Sequence, residues 1–147
     1  MGKAQRRAER YNKNITIDLV LRDEDRDMRL AGPVPCFVVD LSSYGLGLIL
    51  NQVHFQGHHF FYEPLDNYDN QLYIERDGEK DGEVLTIPVR PVWFNLDDDE
   101  ELRCFHMGVE FEVPPNDKRI VLLKRIAAGK MGEEGGWFNR LLLKLWT

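Results

Sequence analysis

The chain has 147 residues, 43% of them hydrophobic and 30% charged, with a formal net charge of −6. That length suits one domain with a real hydrophobic core, and the acidic balance excludes the broad basic surface on which sequence-independent DNA or RNA binding depends. No apolar run reaches the roughly 18 residues that a membrane-spanning helix needs, and no charged-then-apolar leader is visible, so a cytoplasmic protein is expected.

The first residues depart from the rest. Lys3, Arg6, Arg7, Arg10 and Lys13 stand against Glu9 alone, so residues 1–13 are formally +4 and the remaining 134 are −10. The Met-Gly start does not make a myristoylation signal, because Arg6 stands where Ser or Thr is required.

From Ile15 to Leu21 apolar residues occupy every odd position, the period of a strand buried on one face. Asp23 to Asp27 reads as a charged turn. Between Pro33 and Leu50 two apolar runs, CFVVDL and LGLIL, are parted by SSYG, which predicts two strands joined by a tight reversal. Residues 51–83 are harder to read, and two strands joined by mobile turns are expected there. Val84 to Val89 alternates with odd positions apolar, then the parity moves to Val92, Phe94 and Leu96 after Pro91, which predicts a bulge or bend. Asp97 to Glu101 reads as a solvated hairpin loop.

Phe105, Met107, Val109, Phe111 and Val113 form a last alternating strand that ends at Pro114-Pro115. Asp117 is placed to cap a helix running to about Ala128, with Ile120, Leu123 and Ile126 on one face and Gly129 as its stop. After a glycine-rich stretch, Trp137, Phe138, Leu141, Leu142, Leu145 and Trp146 fall on one face of an amphipathic helix. It either docks on the domain or serves a partner, a second copy of the chain included. Six or so strands at hairpin spacing point to an antiparallel barrel or sandwich.

Two motifs carry chemistry. Arg6 and Arg10 stand at i and i+4, and a guanidinium fork suits both phosphate oxygens and the O6/N7 edge of guanine. Alone, such a pair also fits a solubilising tail. DLSSYG, residues 40–45, offers the Asp40 carboxylate to the N1 and N2 donors of a guanine or to an arginine it would orient, the Ser42 hydroxyl to a phosphate or base edge, and Gly45 for a backbone conformation or a close approach that a Cβ would block. Alone, this reads equally as a self-capped turn.

Taken together, RRAER, DLSSYG, VRPVWF (89–94), MGVEF (107–111) and PPNDKRIVLLKRI (114–126) resemble the PilZ domain, the bacterial receptor module for cyclic di-GMP, over roughly residues 5–126. The resemblance implies an all-β fold with terminal helices: a six-stranded antiparallel barrel over residues 15–128 capped by a C-terminal helix, preceded by a flexible arginine segment (1–14) and followed by a linker and amphipathic helix (129–147). It further implies that Arg6 and Arg10 contact guanine and phosphate, Arg7 assists, Asp40 and Ser42 contact a guanine base, and Gly45 shapes the turn. The implied function is a cyclic di-GMP receptor that passes its signal to a protein partner in motility or surface-attachment control, with homodimerisation through the last helix as a further option.

Two rivals belong to other classes. A PilZ-like protein-interaction subunit with a silent nucleotide site is one, although the arginines expected of a binding member are present. The other is an enzyme or metal protein built on His54, His58, His59, Cys104 and His106. Their spacing is poor, with Cys104 and His106 expected to face solvent, and no nucleophile, base and orienting group assemble from the motifs. No catalytic activity, metal or resident cofactor is therefore expected. Cys36 and Cys104 are expected to be reduced, being too few for a disulfide framework.

Overall fold

The computed structural model describes residues 15–78, 80–99 and 102–133. Six strands close into an antiparallel barrel: β1 (Ile15–Asp23), β2 (Met28–Leu41), β3 (Gly45–Leu50), β6 (Asn70–Asp77), β7 (Val84–Asp99) and β8 (Leu102–Phe111), in the order β1-β2-β3-β8-β7-β6 with β6 returning to β1. A two-residue ladder, β4 (His54–Phe55) with β5 (His58–His59), and a short helix α1 (Tyr62–Asp66) lie between β3 and β6. Helix α2 (Lys118–Glu133) follows the barrel.

The barrel exists because six runs carry alternating apolar residues that a closed sheet can turn inward together. Ile15, Ile17, Leu19 and Leu21 of β1 meet Val38, Cys36, Val34 and Ala31 of β2, and all eight are buried. Leu48, Met107, Ile74 and Ile87 complete the interior with no exposed surface beyond 1%. Ile120, Leu123 and Ala127 of α2 join this same core, so the helix is held by the interior it covers. Asp117 caps it: Oδ1 accepts the Arg119 backbone N–H at 2.9 Å, and the Asp117 carbonyl accepts from Ile120 and Val121.

Several expectations are corrected. The second strand begins at Met28 rather than near Pro33, because its register with β1 continues to the Asp23–Met28 pair. Within 51–83 a small ladder and a helix precede one long strand, in place of two strands. His59 Nδ1 accepts the backbone N–H groups of Phe61 and Tyr62, and Phe60 and Phe61 are buried in the core, which starts α1 where the aromatic run suggested a strand. The acidic stretch is not a loop up to Asp99, since Asp97, Asp98 and Asp99 pair with Cys104, Arg103 and Leu102. Pairing supplies the backbone hydrogen bonds regardless of side-chain charge; Glu100 and Glu101 lie outside the described residues.

The last strand stops at Phe111, short of Val113. Gly129 does not stop α2, which runs on to Glu133; an interior glycine costs only about 1 kcal/mol, so the helix passes the 128/129 boundary. Cys104 does not face solvent. It is 9% exposed and packs with Val39 and Ile49 in a separate apolar cluster on the outside of the sheet. The tail helix over 137–146 lies outside the described residues.

Candidate ligand-binding site

Among the described residues, an open groove of about 450 Å³ is lined by Asp40, Ser42, Tyr44, Gly45, Trp93 and Glu110, among others. It lies on the outer face of the barrel where β2, β3, β8 and β7 run side by side. Three of the residues singled out from sequence, Asp40, Ser42 and Gly45, are brought together on it. Arg6, Arg7 and Arg10 lie outside the described residues.

Asp40 reaches the groove through a defect in β2. Val34, Cys36 and Val38 point inward on even positions, so an unbroken strand would bury Asp40 as well. Instead the register moves from Val38–Leu48 to Asp40–Gly47, leaving Val39 as an extra residue. A bulge of this kind re-aims the side chain that follows it, and Asp40 stands exposed on the outer face. Opposite it, Gly47 leaves room for that side chain: a Cβ there would lie 3.2 Å from both Asp40 Cβ and Oδ2, and the carboxylate would have to shift by a few tenths of an ångström.

The turn after β2 is self-capped. Ser42 Oγ accepts the backbone N–H of Tyr44 at 3.1 Å and of Gly45 at 3.2 Å, and Ser42 N–H donates to the Gly45 carbonyl at 3.0 Å. Both lone pairs of Oγ are thus engaged, and its proton is directed at the Gly45 carbonyl in a long contact of 3.5 Å that a better-placed acceptor can replace. A ligand therefore meets Ser42 as a donor, suited to a phosphate oxygen or the O6/N7 edge of a purine. Gly45 has ordinary backbone angles; its constraint is the neighbouring strand, because a Cβ would overlap the Val109 carbonyl oxygen.

The charged residues lining the groove, Asp40 and Glu110, are both acidic. A cation stands close by: Lys124 of α2 donates from Nζ to Ser43 Oγ at 2.8 Å, tying the helix to the turn. The start of β1 also bears on the site. Ile15 pairs with Val38, so β1 begins on the adjoining strand two positions from Asp40.

The histidines weighed for a metal are built into the fold. His58 Nδ1 lies 2.7 Å from Glu63 Oε2, and His59 serves the start of α1, its pKa lowered first by burial and then by His54, against an opposing pull from Glu63. Among the described residues no group of three or more His, Cys, Asp or Glu is placed to hold a metal ion.

A closed six-stranded barrel with a DxSxxG turn on an outer groove defines a class, and a family model identifies it: the PilZ domain model matches residues 4–129, so the chain belongs to the PilZ domain family. Among solved structures it is similar to the PlzA protein of Borreliella burgdorferi, crystallised in complex with c-di-GMP, at 13% sequence identity and a TM-score of 0.45. The likeness covers 84% of this chain and 48% of that one, so the chain spans about half the length of PlzA's structure. No curated protein matches the chain.

Proposed function

We propose that the protein is a receptor for cyclic di-GMP, seated on the outer groove and clasped by the arginine segment. Asp40 accepts from the N1 and N2 donors of one guanine, Ser42 donates to the same ligand, and Gly45 keeps the turn flush against β8. Arg6 and Arg10 supply the guanidinium forks for phosphate and base edge, with Arg7 assisting. The family membership and the relative's ligand support this reading, and one observation of the chain itself carries it: Asp40, Ser42 and Gly45 share one groove beside the start of β1.

The reach is sufficient. Four residues, hence five steps, separate Arg10 from Ile15, up to about 17 Å of extended chain, and Asp40 lies only about 7 Å along β2 from the residue that Ile15 pairs with. Residues 1–14 act as the arm, 15–128 supply the body of the receptor, and 129–147 are available to a protein partner. Ordering the arm on the ligand is the event a partner reads, and the Lys124–Ser43 hydrogen bond gives that event a path to α2. The setting is cytoplasmic, and no enzymatic step is required.

Titration calorimetry with cyclic di-GMP on the full chain and on Arg10→Ala tests this. A charge-assisted contact contributes about 1.5–3 kcal/mol, so the variant should bind about 10- to 100-fold more weakly, with a shallower salt dependence. Equal heats and affinities would reject the assignment.

A further inference from the structure

The outside of the barrel carries an apolar cluster of its own. Phe37 and Val39 of β2, Ile49 of β3 and Cys104 of β8 pack together apart from the barrel core, and Val39 and Ile49 are only 4% and 3% exposed. Side chains on the outside of a sheet stand in water unless a second layer covers them. The described elements do not supply that layer. Helix α2 sends Ile120, Leu123 and Ala127 into the barrel core, α1 packs against β5, β6 and β7, and the β4–β5 ladder sits toward the other end of β2, where Gln56 Oε1 accepts the Gly32 N–H at 3.0 Å.

The rest of the sequence narrows the layer to one segment. Residues 1–14 are dominated by charged and amide side chains and contain no Val, Ile, Leu, Phe or Trp, while Glu79, Glu100 and Glu101 are charged. Residues 134–147 instead carry Trp137, Phe138, Leu141, Leu142, Leu145 and Trp146 on one face of a helical pattern, with Arg140 and Lys144 on the opposite side. So short an amphipathic helix is not stable alone in water, and it needs an apolar surface to form on. One is within reach. Lys124 Nζ ties α2 to Ser43 of the β2–β3 turn nine residues before the helix ends. Ile49 lies about 13 Å up β3 from Gly45, at the foot of that strand, and the steps from Glu133 to Trp137 span up to about 14 Å.

We propose that residues 137–146 pack as a helix on the outer cluster of their own barrel, with the tryptophan and leucine face against Phe37, Val39, Ile49 and Cys104. Val39 is also the extra residue of the β2 bulge, so the packed segment braces the stretch of strand that presents Asp40. Arg140 and Lys144 stay on the outward side, where a partner can reach them.

The chain's two cysteines test this without ligand, since Cys104 belongs to the outer cluster and Cys36 lies inside the barrel, where burial pushes its thiol pKa up. In the full chain carrying Leu141→Asp and Leu145→Asp, a water-soluble thiol reagent should modify Cys104 at least about 10-fold faster than in the wild type, because local opening sets the rate at a covered site. Cys36 should stay protected, which certifies a folded barrel. Equal Cys104 rates with Cys36 protected overturn the docking. Should the variant unfold and expose both thiols, the wild-type chain decides by itself: nuclear Overhauser contacts between the Ile49 methyl groups and the indole of Trp137 or Trp146 are expected, and their absence overturns the proposal. Contacts that arise only between differently labelled copies, in a dimer by light scattering, would make a second copy the occupant and overturn docking within the chain.

Discussion

Gly45 separates what the fold needs from what the ligand needs, and Gly45→Ala is the sharpest single perturbation. At most strand positions Gly→Ala stabilises, since alanine narrows the unfolded ensemble by about 0.4–1 kcal/mol. Here the added Cβ would overlap the Val109 carbonyl oxygen and lie 3.2 Å from both Glu110 Cα and Val109 C, all of them backbone atoms fixed in the β3–β8 ladder. Relief requires the strands to part next to the hydrogen bonds Phe111 N–H to Tyr44 O, 2.8 Å, and Ser42 N–H to Gly45 O, 3.0 Å. Overpacking at about 1–3 kcal/mol with one such bond weakened at about 0.5–1.5 kcal/mol gives a loss of roughly 2–4 kcal/mol. In a domain of this size the melting temperature should fall by on the order of 10 °C. Gly108→Ala is the internal control, because the three atoms nearest its Cβ all belong to the partly exposed Trp93 side chain, which can swing aside, and its melting temperature should shift by less than about 3 °C. Differential scanning calorimetry without ligand reads both. If Gly45→Ala melts with the wild type, the close approach is no constraint, and the glycine serves the ligand instead.

Two further outcomes follow from titratable groups. His59 has a folded-state pKa below its ordinary 6.5, through burial first, so the folded state binds fewer protons than the unfolded one; the stability it confers is complete above that value and is lost as pH falls through and below it. Protection factors of the Phe61 and Tyr62 amides should accordingly drop between pH 7 and 5 relative to Leu72, and a constant ratio would contradict the capping role. Asp117 is held below the usual carboxylate range by the Arg119 guanidinium and by the Arg119 N–H, so its contribution is present at neutral pH and fades in acid. Asp117→Ala should cost about 0.5–2 kcal/mol and Asp117→Asn much less in urea unfolding at pH 7; equal losses would show that the ion pair, not the cap, matters.

The parts of the fold written in local alternation were legible, and the parts decided by a neighbouring strand were not. Ile15 to Leu21, the turn at residues 42–45 and the slip at Pro91 could each be read from a few residues, because periodicity and turn chemistry act over that range. The acidic residues 97–99 join a ladder because β8 supplies their partners, which no local rule reveals. Helix α1 depends on His59 accepting two amides, and its aromatic content argued for a strand. On the site, Asp40, Ser42 and Gly45 were visible as a spaced motif. Val39 as a bulge was hidden by an unbroken apolar run, and with it the reason Asp40 faces out. The parity slip after Pro91 was visible, yet that it leaves Val92 over and turns Trp93 to the outer face depends on the register with β8.

The electrostatics of the groove constrain how the two halves of the motif must share the work. Among the described residues of its lining, Asp40 and Glu110 contribute a formal −2, and cyclic di-GMP would bring two phosphate charges more. A rigid barrel with this face would repel such a ligand at long range, whatever its base-reading geometry. On the proposed reading Lys124 offsets part of this charge and the arginine segment the rest, since residues 1–13 hold a formal +4 in the sequence just before β1. The barrel can then read bases through short, directional contacts that salt barely screens, while the arm neutralises phosphate through contacts that salt does screen. Affinity should consequently fall with ionic strength while preference for guanine persists. On the proposed reading, occupancy of the groove and engagement of the arginines are one event, and removing either the Asp40 carboxylate or the arginines should weaken binding.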